Sequence, residues 1–476
     1  MSPNDTICAV STPPGRGGIA VVRVSGPQAF AAVQRCWRGK AVAGMASHTA
    51  HLGHVVDAGG DVLDQAVLTV FRSPNSFTGE DVAELSLHGS TWIQQQVVQA
   101  LIDAGCRHAA AGEFTRRAFA SGKMDLSQAE AVADVIDAQS RAAHHVAMNQ
   151  MRGRYSDQLA ALRSQLLRFV SLIELELDFG EEDVTFADRA QVTALARGIS
   201  DLIGRLADSY RDGNAIRNGT PVAIVGQTNA GKSTLLNALL GDDRALVSDI
   251  HGTTRDTIED TVVMGGTLFR FIDTAGLRQA ADAIEQMGIE RSYQAIGRAA
   301  IVLWVIDTAR PGGLEDMARD ITARCCDKRL IAVLNKTDLA PAAEIKEKIS
   351  ALLPQGTPVA AICAKQAGNH EHAQEIAAAR QGGNSLDALR GLIVTAAALP
   401  NVDSDAVIVT NARHYQALAR ARAAIARAIS GLEGGLSGDL LDQDIRECLH
   451  WLGEITGEIT TDDILGEVFA NFCIGK

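Results

Sequence analysis

The stretch PVAIVGQTNAGKST, residues 221–234, constrains this chain more than any other. Its apolar start reads as a strand buried on both faces, and the helical pattern LLNALL follows. Between them GQTNAGKS fits G-x-x-x-x-G-K-[ST] through Gly226, Gly231, Lys232 and Ser233. Glycines let the backbone of Asn229, Ala230, Gly231, Lys232, Ser233 and Thr234 wrap phosphate oxygens, and the helix start adds partial positive charge. Lys232 then reaches the β- and γ-phosphates, and the Ser233 hydroxyl suits magnesium. Strand and helix patterns alternate from here to about residue 395, which predicts a doubly wound parallel sheet.

Two further elements follow in order. IDTAG (272–276) ends an apolar run, and NKTD (335–338) follows LIAVL, so both predict loops on the carboxyl edge that carries the phosphate loop. Asp273 is expected to hold magnesium through water, and the Gly276 N–H to sense the γ-phosphate. In the run Asn335, Lys336, Thr337, Asp338, the last carboxylate matches the paired N–H donors of guanine and would face an acceptor on adenine. With GTTRD (252–256), these elements resemble a translation-factor-type GTPase of the Ras-like superfamily. That resemblance implies that Thr254 completes magnesium coordination and that Cys363, Ala364 and Lys365 stand where Ser-Ala-Lys is usual. It also exposes a gap: the residue after DTAG is Leu277, where Ras-like enzymes place a water-orienting Gln, and no arginine finger is legible. Asn229 and the oxygen-rich VSDIHGTTRD (247–256) could hold a monovalent cation in place of that charge; Asn229 could equally brace its loop.

The remainder sets bounds. With 476 residues, 46% hydrophobic and 21% charged, the chain predicts about three globular domains. A net charge of −13 argues against coating nucleic acid by bulk electrostatics, so any RNA contact must be local. No apolar run approaches the roughly 18 residues of a membrane span, and MSPNDTICAV lacks the features of a secretory or transit signal, which predicts a cytoplasmic protein. The eight cysteines show no CxxC pair, and most of them, Cys473 set apart, read as small hydrophobes. Residues 1–118 mix strand patterns (GIAVVRVSG, DQAVLTVF, VAELSLHG) with Gly and Pro as a small α/β domain. Residues 119–218 and 395–476 are helical in period, interrupted by the α/β insertion at 219–394. GRGG (15–18) is a tight turn or a small anion nest, and the polar 365–384 a loop or surface helix.

Over its full length the sequence resembles the MnmE family of tRNA modification GTPases, through NDTICAVSTPPGRGGIAVVRVSG, PNSFTGEDVAEL, GEFTRRAFASGKMDLSQAEAVADVIDA and the terminal FCIGK. The resemblance implies a homodimer whose GTPase domains meet in the presence of potassium, with Asn229, Ser248, Ile250 and Thr253 as cation ligands and Glu285 as the water-orienting acid. It implies a tetrahydrofolate-binding-like N-terminal domain that also dimerises. There Arg23, Glu84, Lys123 and Lys476 match the residues for 5-formyltetrahydrofolate or a related folate. Cys473 is implied near the folate as a catalytic candidate, for a nucleophilic or proton-transfer role, on a tail that Phe469 and Phe472 would anchor. An MnmG-like FAD-containing partner, in a heterotetramer, and tRNA are implied as well. Read alone, Glu285 is an exposed helix carboxylate and the folate residues are surface charges. A ribosome-assembly switch GTPase or an ATP-using enzyme would carry the same phosphate loop.

Overall fold

The structure, a computed structural model, describes residues 5–179, 189–241, 259–272, 293–365, 386–398, 407–434, 436, 438–470, 472 and 474–475. The chain forms two compact units, one of residues 1–136, 148–203 and 417–476, the other of 137–147 and 204–416.

In the first unit, β1 (Ile7–Val10), β2 (Ile19–Ser25), β3 (Trp37–Arg38), β4 (Thr49–Val56), β5 (Val62–Phe71), β6 (Val82–His88) and β7 (Arg107–His108) form a seven-stranded sheet in the order β3-β4-β5-β6-β2-β1-β7. Every pairing is antiparallel except β1 with β7. The period-two pattern of DQAVLTVF decides which side is covered: Ala66, Leu68 and Val70 are buried while Gln65 and Val67 stay exposed. Helices α1 (Ala29–Arg35) and α2 (Thr91–Asp103) seal that side, packing Val33, Val97 and Leu101 onto Val22, Val24, Leu68 and Leu85.

Beside this sheet, α3 (Glu113–Ala120) closes an ion network that joins distant parts of the sequence. Arg107 bonds Asp5 at 2.7 Å and Glu113 at 2.5 Å, and Arg117 reaches Asp5 at 2.6 Å and both Glu113 and Glu80 at 3.2 Å. Burial would raise the Glu113 carboxyl, but Arg107, the Ala110 N–H and Arg117 together hold it below its ordinary value. A carboxyl depressed in the fold stabilises above its unfolded pKa and ceases to as pH falls through the folded one. Glu113→Gln is therefore expected to cost about 2 kcal/mol at pH 7, since it removes the buried charge that half-buried Arg117 and the more exposed Arg107 share. The gap to wild type should narrow in urea melts repeated below about pH 4.

The helical stretch expected over 119–218 opens with two separate helices after α3, α4 (Leu126–Asp137) and α5 (Arg141–Met151). The break falls at Ser140, whose Oγ accepts the Ala143 N–H at 3.1 Å, a local bond that competes with continuation of the helix. α6 (Arg154–Phe179) buries Leu159, Leu162, Leu166 and Phe169. The tail is held too. Phe469 and Phe472 pack with Leu126 and Ala129, Ile474 bridges Ala111, and the Gly475 carbonyl accepts the Ser11 hydroxyl at 3.0 Å.

The second unit is built on a six-stranded sheet. Entry is through α7 (Arg189–Asp208) and α8 (Tyr210–Asn218) to β8 (Thr220–Gly226) and α9 (Lys232–Leu240). Next come β9 (Asp260–Met264), β10 (Thr267–Phe271), β11 (Ile301–Asp307), α10 (Leu314–Arg324), β12 (Arg329–Asn335), α11 (Ala343–Leu352), β13 (Val359–Ala361) and α12 (Leu386–Ala397). The order β13-β12-β11-β8-β10-β9 is parallel throughout except for β9 at the edge. The sequence predicts this doubly wound sheet, and its runs VAIVG and LIAVL form β8 and β12 in the interior, where both faces are covered. α9 and α12 pack Leu235, Leu239, Leu389 and Ile393 on one face, while α10 and α11 pack Leu314, Ile321 and Ile349 on the other. Where the chain returns at Val409, α8 lies against it: a Cβ on Gly213 would overlap the Val409 carbonyl, and Ser209 Oγ accepts the Val409 N–H at 3.0 Å. Helices α13 (Ala412–Glu433), α14 (Gly438–Thr456) and α15 (Asp462–Ala470) complete the chain. Among the described residues no helix is long and apolar enough to cross a membrane.

Candidate nucleotide site

Parallel strands end on one edge, and β8, β11 and β12 are neighbours in the order β12-β11-β8, so their carboxyl ends bring three loops together. The loop after β8 begins at Gly226, where φ is +146° and a Cβ would overlap the Val305 carbonyl of β11. It continues through Asn229 at φ +63° and Gly231 at φ +93°. Left-handed backbone at a non-glycine residue costs of order 1 kcal/mol, so neighbours must hold it there.

The NKTD loop supplies that hold. Asn335, 2% exposed, donates from Nδ2 to the Ala230 carbonyl at 2.9 Å, and its Oδ1 accepts the Ala364 N–H at 3.1 Å. Lys336 donates to the Asn229 carbonyl at 2.7 Å. In a trans peptide C=O and N–H point opposite ways, so drawing carbonyls 229 and 230 outward turns the N–H groups of Ala230 and Gly231 towards the concavity of the loop. One asparagine thus ties the phosphate loop to the NKTD strand and to the Cys363-Ala364-Lys365 turn. Gly231 must lack a side chain, since a Cβ there would strike the Asn335 amide.

Lys232 starts α9 and donates to the Gly226 and Gln227 carbonyls, both at 2.8 Å; desolvation lowers its pKa. Ser233 is half-buried on the first turn of α9 and Thr234 exposed beside it. Asp338 is exposed at the mouth, where its Oδ1 accepts the Cys363 thiol at 3.1 Å. A thiol is a weaker donor than a hydroxyl, so this contact holds the carboxylate more loosely than a serine would. Lys365 is exposed next to it. The sequence reading missed Asp307 and Thr308, which end β11 directly behind Lys336; an acid and a hydroxyl closing a buried strand on the loop edge were the available signal.

On the opposite face of the first unit's sheet, where Ile7, Ala9 and Phe114 are buried, half-buried Arg23 and Glu84 sit opposite each other on β2 and β6, bonded at 2.8 Å. The Arg23 guanidinium lies 5.2 Å from the centroid of the Phe77 ring and 5.6 Å from that of Phe114. Lys123 is exposed. The GRGG segment is clasped by Gly89: Gly17 N–H donates to its carbonyl at 3.1 Å, while a Cβ on Gly89 would overlap the Gly17 backbone. Ser248, Ile250, Thr253, Thr254, Asp273, Gly276, Glu285, Cys473 and Lys476 lie outside the described residues.

Two family descriptions match the chain, "GTP-binding protein TrmE N-terminus" over residues 6–123 and "MnmE helical domain" over 126–473. The tRNA modification GTPase MnmE of Bacteroides thetaiotaomicron is 49% identical over 477 residues, covering 99% of each chain. The protein of the same name from Bacteroides fragilis ATCC 25285 is 50% identical over 477 residues, again covering 99% of each. That of Christiangramia forsetii is 46% identical over 490 residues, covering 100% of both.

Proposed function

Since this chain belongs to the MnmE family of tRNA modification GTPases, we propose that it hydrolyses GTP with potassium stimulation to install an aminomethyl-type group, carboxymethylaminomethyl among them, at C5 of the wobble uridine of certain tRNAs. It is a GTP hydrolase that serves tRNA modification. The observation that carries the reading is the cradle in which Asn335 fastens phosphate loop and base loop into one piece, because hydrolysis needs the γ-phosphate held at fixed distance from the base anchor. Asp338 reads guanine, with the Cys363 thiol orienting one of its oxygens.

The donor set fits the groups that hydrolysis requires. The Ser233 hydroxyl, with Thr254, suits magnesium, and the amide oxygen of Asn229, with Ser248, Ile250 and Thr253, suits potassium. When bound there, the cations would supply positive charge at the developing phosphate oxyanions, the role an arginine finger plays elsewhere. Lys232 neutralises the γ-phosphate and Glu285 orients the attacking water, a task Leu277 cannot perform. In the cytoplasm the chain works as a homodimer with an MnmG-like flavoprotein. Arg23, Glu84, Lys123 and Lys476 would hold a folate, which would supply the one-carbon unit, and the family resemblance assigns Cys473 to its vicinity. The Arg23–Glu84 pair flanked by two phenylalanine rings fits a ligand with a flat ring and paired donors.

Steady-state hydrolysis in potassium should exceed that in sodium by at least about tenfold, and Asn229→Ala should erase the difference. Equal rates in both salts would remove the cation from the mechanism. Asp338→Asn should lower the preference for GTP over competing nucleotides about 100-fold in a displacement assay.

A further inference from the structure

Asp307 has no counterpart among the nucleotide-binding residues read from the sequence, yet the cradle converges on it. It is the last residue of β11, the strand between β8 and β12, and is 9% exposed. Its Oδ2 accepts Lys336 Nζ at 2.7 Å and its Oδ1 accepts the Ala309 N–H at 2.9 Å, so both oxygens are engaged. The next residue holds the same lysine by its backbone: Thr308 Oγ1 lies 3.0 Å from the Asn335 carbonyl and 2.9 Å from that of Lys336, and Thr308 N–H donates to Asn335 at 3.0 Å. Lys336 itself is at φ +65°, a conformation that needs such support. Burial pulls the Asp307 carboxyl upward, but Lys336 and the Ala309 N–H keep it below its usual range, so it is charged at neutral pH.

We propose that Asp307 is a positioning residue for the guanine nucleotide: its carboxylate fixes the Lys336 ammonium so that the lysine holds the Asn229 carbonyl outward and the phosphate loop open to its ligand. An ammonium beside a polyphosphate goes to whichever anion is nearest. Asp307, within reach and preorganised by Ala309, keeps the lysine on the loop carbonyl both before and after nucleotide arrives. The cost of shaping the loop is then met during folding and not during binding, which is how preorganisation raises affinity. The inference rests on the guanine-nucleotide reading of the site, and the experiment separates the two.

Asp307→Asn preserves size and the acceptor for Ala309, and it removes the charge together with the oxygen that accepts from Lys336. With a fluorescent GDP on the full-length protein, its dissociation rate should rise about tenfold and the KM for GTP by a similar factor, with kcat at saturating GTP within about twofold. Asp307→Glu, which keeps the charge at a longer reach, should restore part of the loss. Adding Asp307→Asn to Lys336→Met should change nothing beyond Lys336→Met alone, because the aspartate acts through the lysine. Wild-type release kinetics in Asp307→Asn, or additive effects in the double variant, overturn the proposal. Failure of the wild type to bind fluorescent GDP overturns the reading of the site instead.

Discussion

Gly226→Ala is expected to abolish nucleotide binding and to lower the unfolding free energy of the second unit by about 2–6 kcal/mol. Two costs add: an alanine held at φ +146° costs about 1–3 kcal/mol, and its methyl overlaps the Val305 carbonyl, which a packed sheet relieves only by shifting at about 1–3 kcal/mol. The overlap falls where β8 pairs with β11 through Val305 and Gly226, so relief separates the two strands that place the phosphate loop and Asp307. Gly312 provides the control. It lies on the same edge, has no left-handed φ, and offers open space to a methyl, so Gly312→Ala should stay within about 0.5 kcal/mol of wild type. Thermal unfolding with and without GDP reads both effects. A Gly226→Ala protein that melts at the wild-type temperature and still gains stability from GDP would disprove the steric argument.

Lys232→Ala is expected to reduce kcat/KM for GTP by about 1,000-fold while leaving the fold intact. The ammonium bridges the Gly226 and Gln227 carbonyls and is the one side-chain cation among residues 226–234, so removal takes charge from the place where the phosphoryl oxygens gain it. Its pH behaviour follows from burial. Desolvation lowers the Lys232 pKa, so its charge is present below that value and is lost at a lower pH than for a lysine in water. The alkaline limb of kcat/KM, which reports the nucleotide-free enzyme, should fall before about pH 10.4, the free-lysine value. Lys232→Arg should not rescue, because a planar fork does not fit where a compact ammonium meets two carbonyls. A loss of less than tenfold for Lys232→Ala would place the catalytic charge elsewhere.

Where local pattern decides structure, the sequence already shows it. β2, β5 and β6 follow the alternation of GIAVVRVSG, DQAVLTVF and VAELSLHG, and β8 and β12 follow continuous apolar runs. The phosphate loop is legible because glycine spacing is itself the geometry. What stays hidden depends on strand order. Asp307 meets Lys336 across 29 positions and Lys336 meets Asn229 across 107, contacts that exist only because β11 lies between β8 and β12. The network of Asp5, Glu80, Arg107, Glu113 and Arg117 is hidden for the same reason, since scattered charges carry no period. The break at Ser140 is a subtler omission: a hydroxyl inside a helical period reads as neutral until it is seen to cap the following turn.

The close pass of Gly213 against Val409 means that the chain runs towards the six-stranded sheet and back from it side by side. A module joined that way can be lifted out or exchanged by splicing two ends that already touch, so grafting a foreign insert calls for a short splice and little strain on the helices left behind.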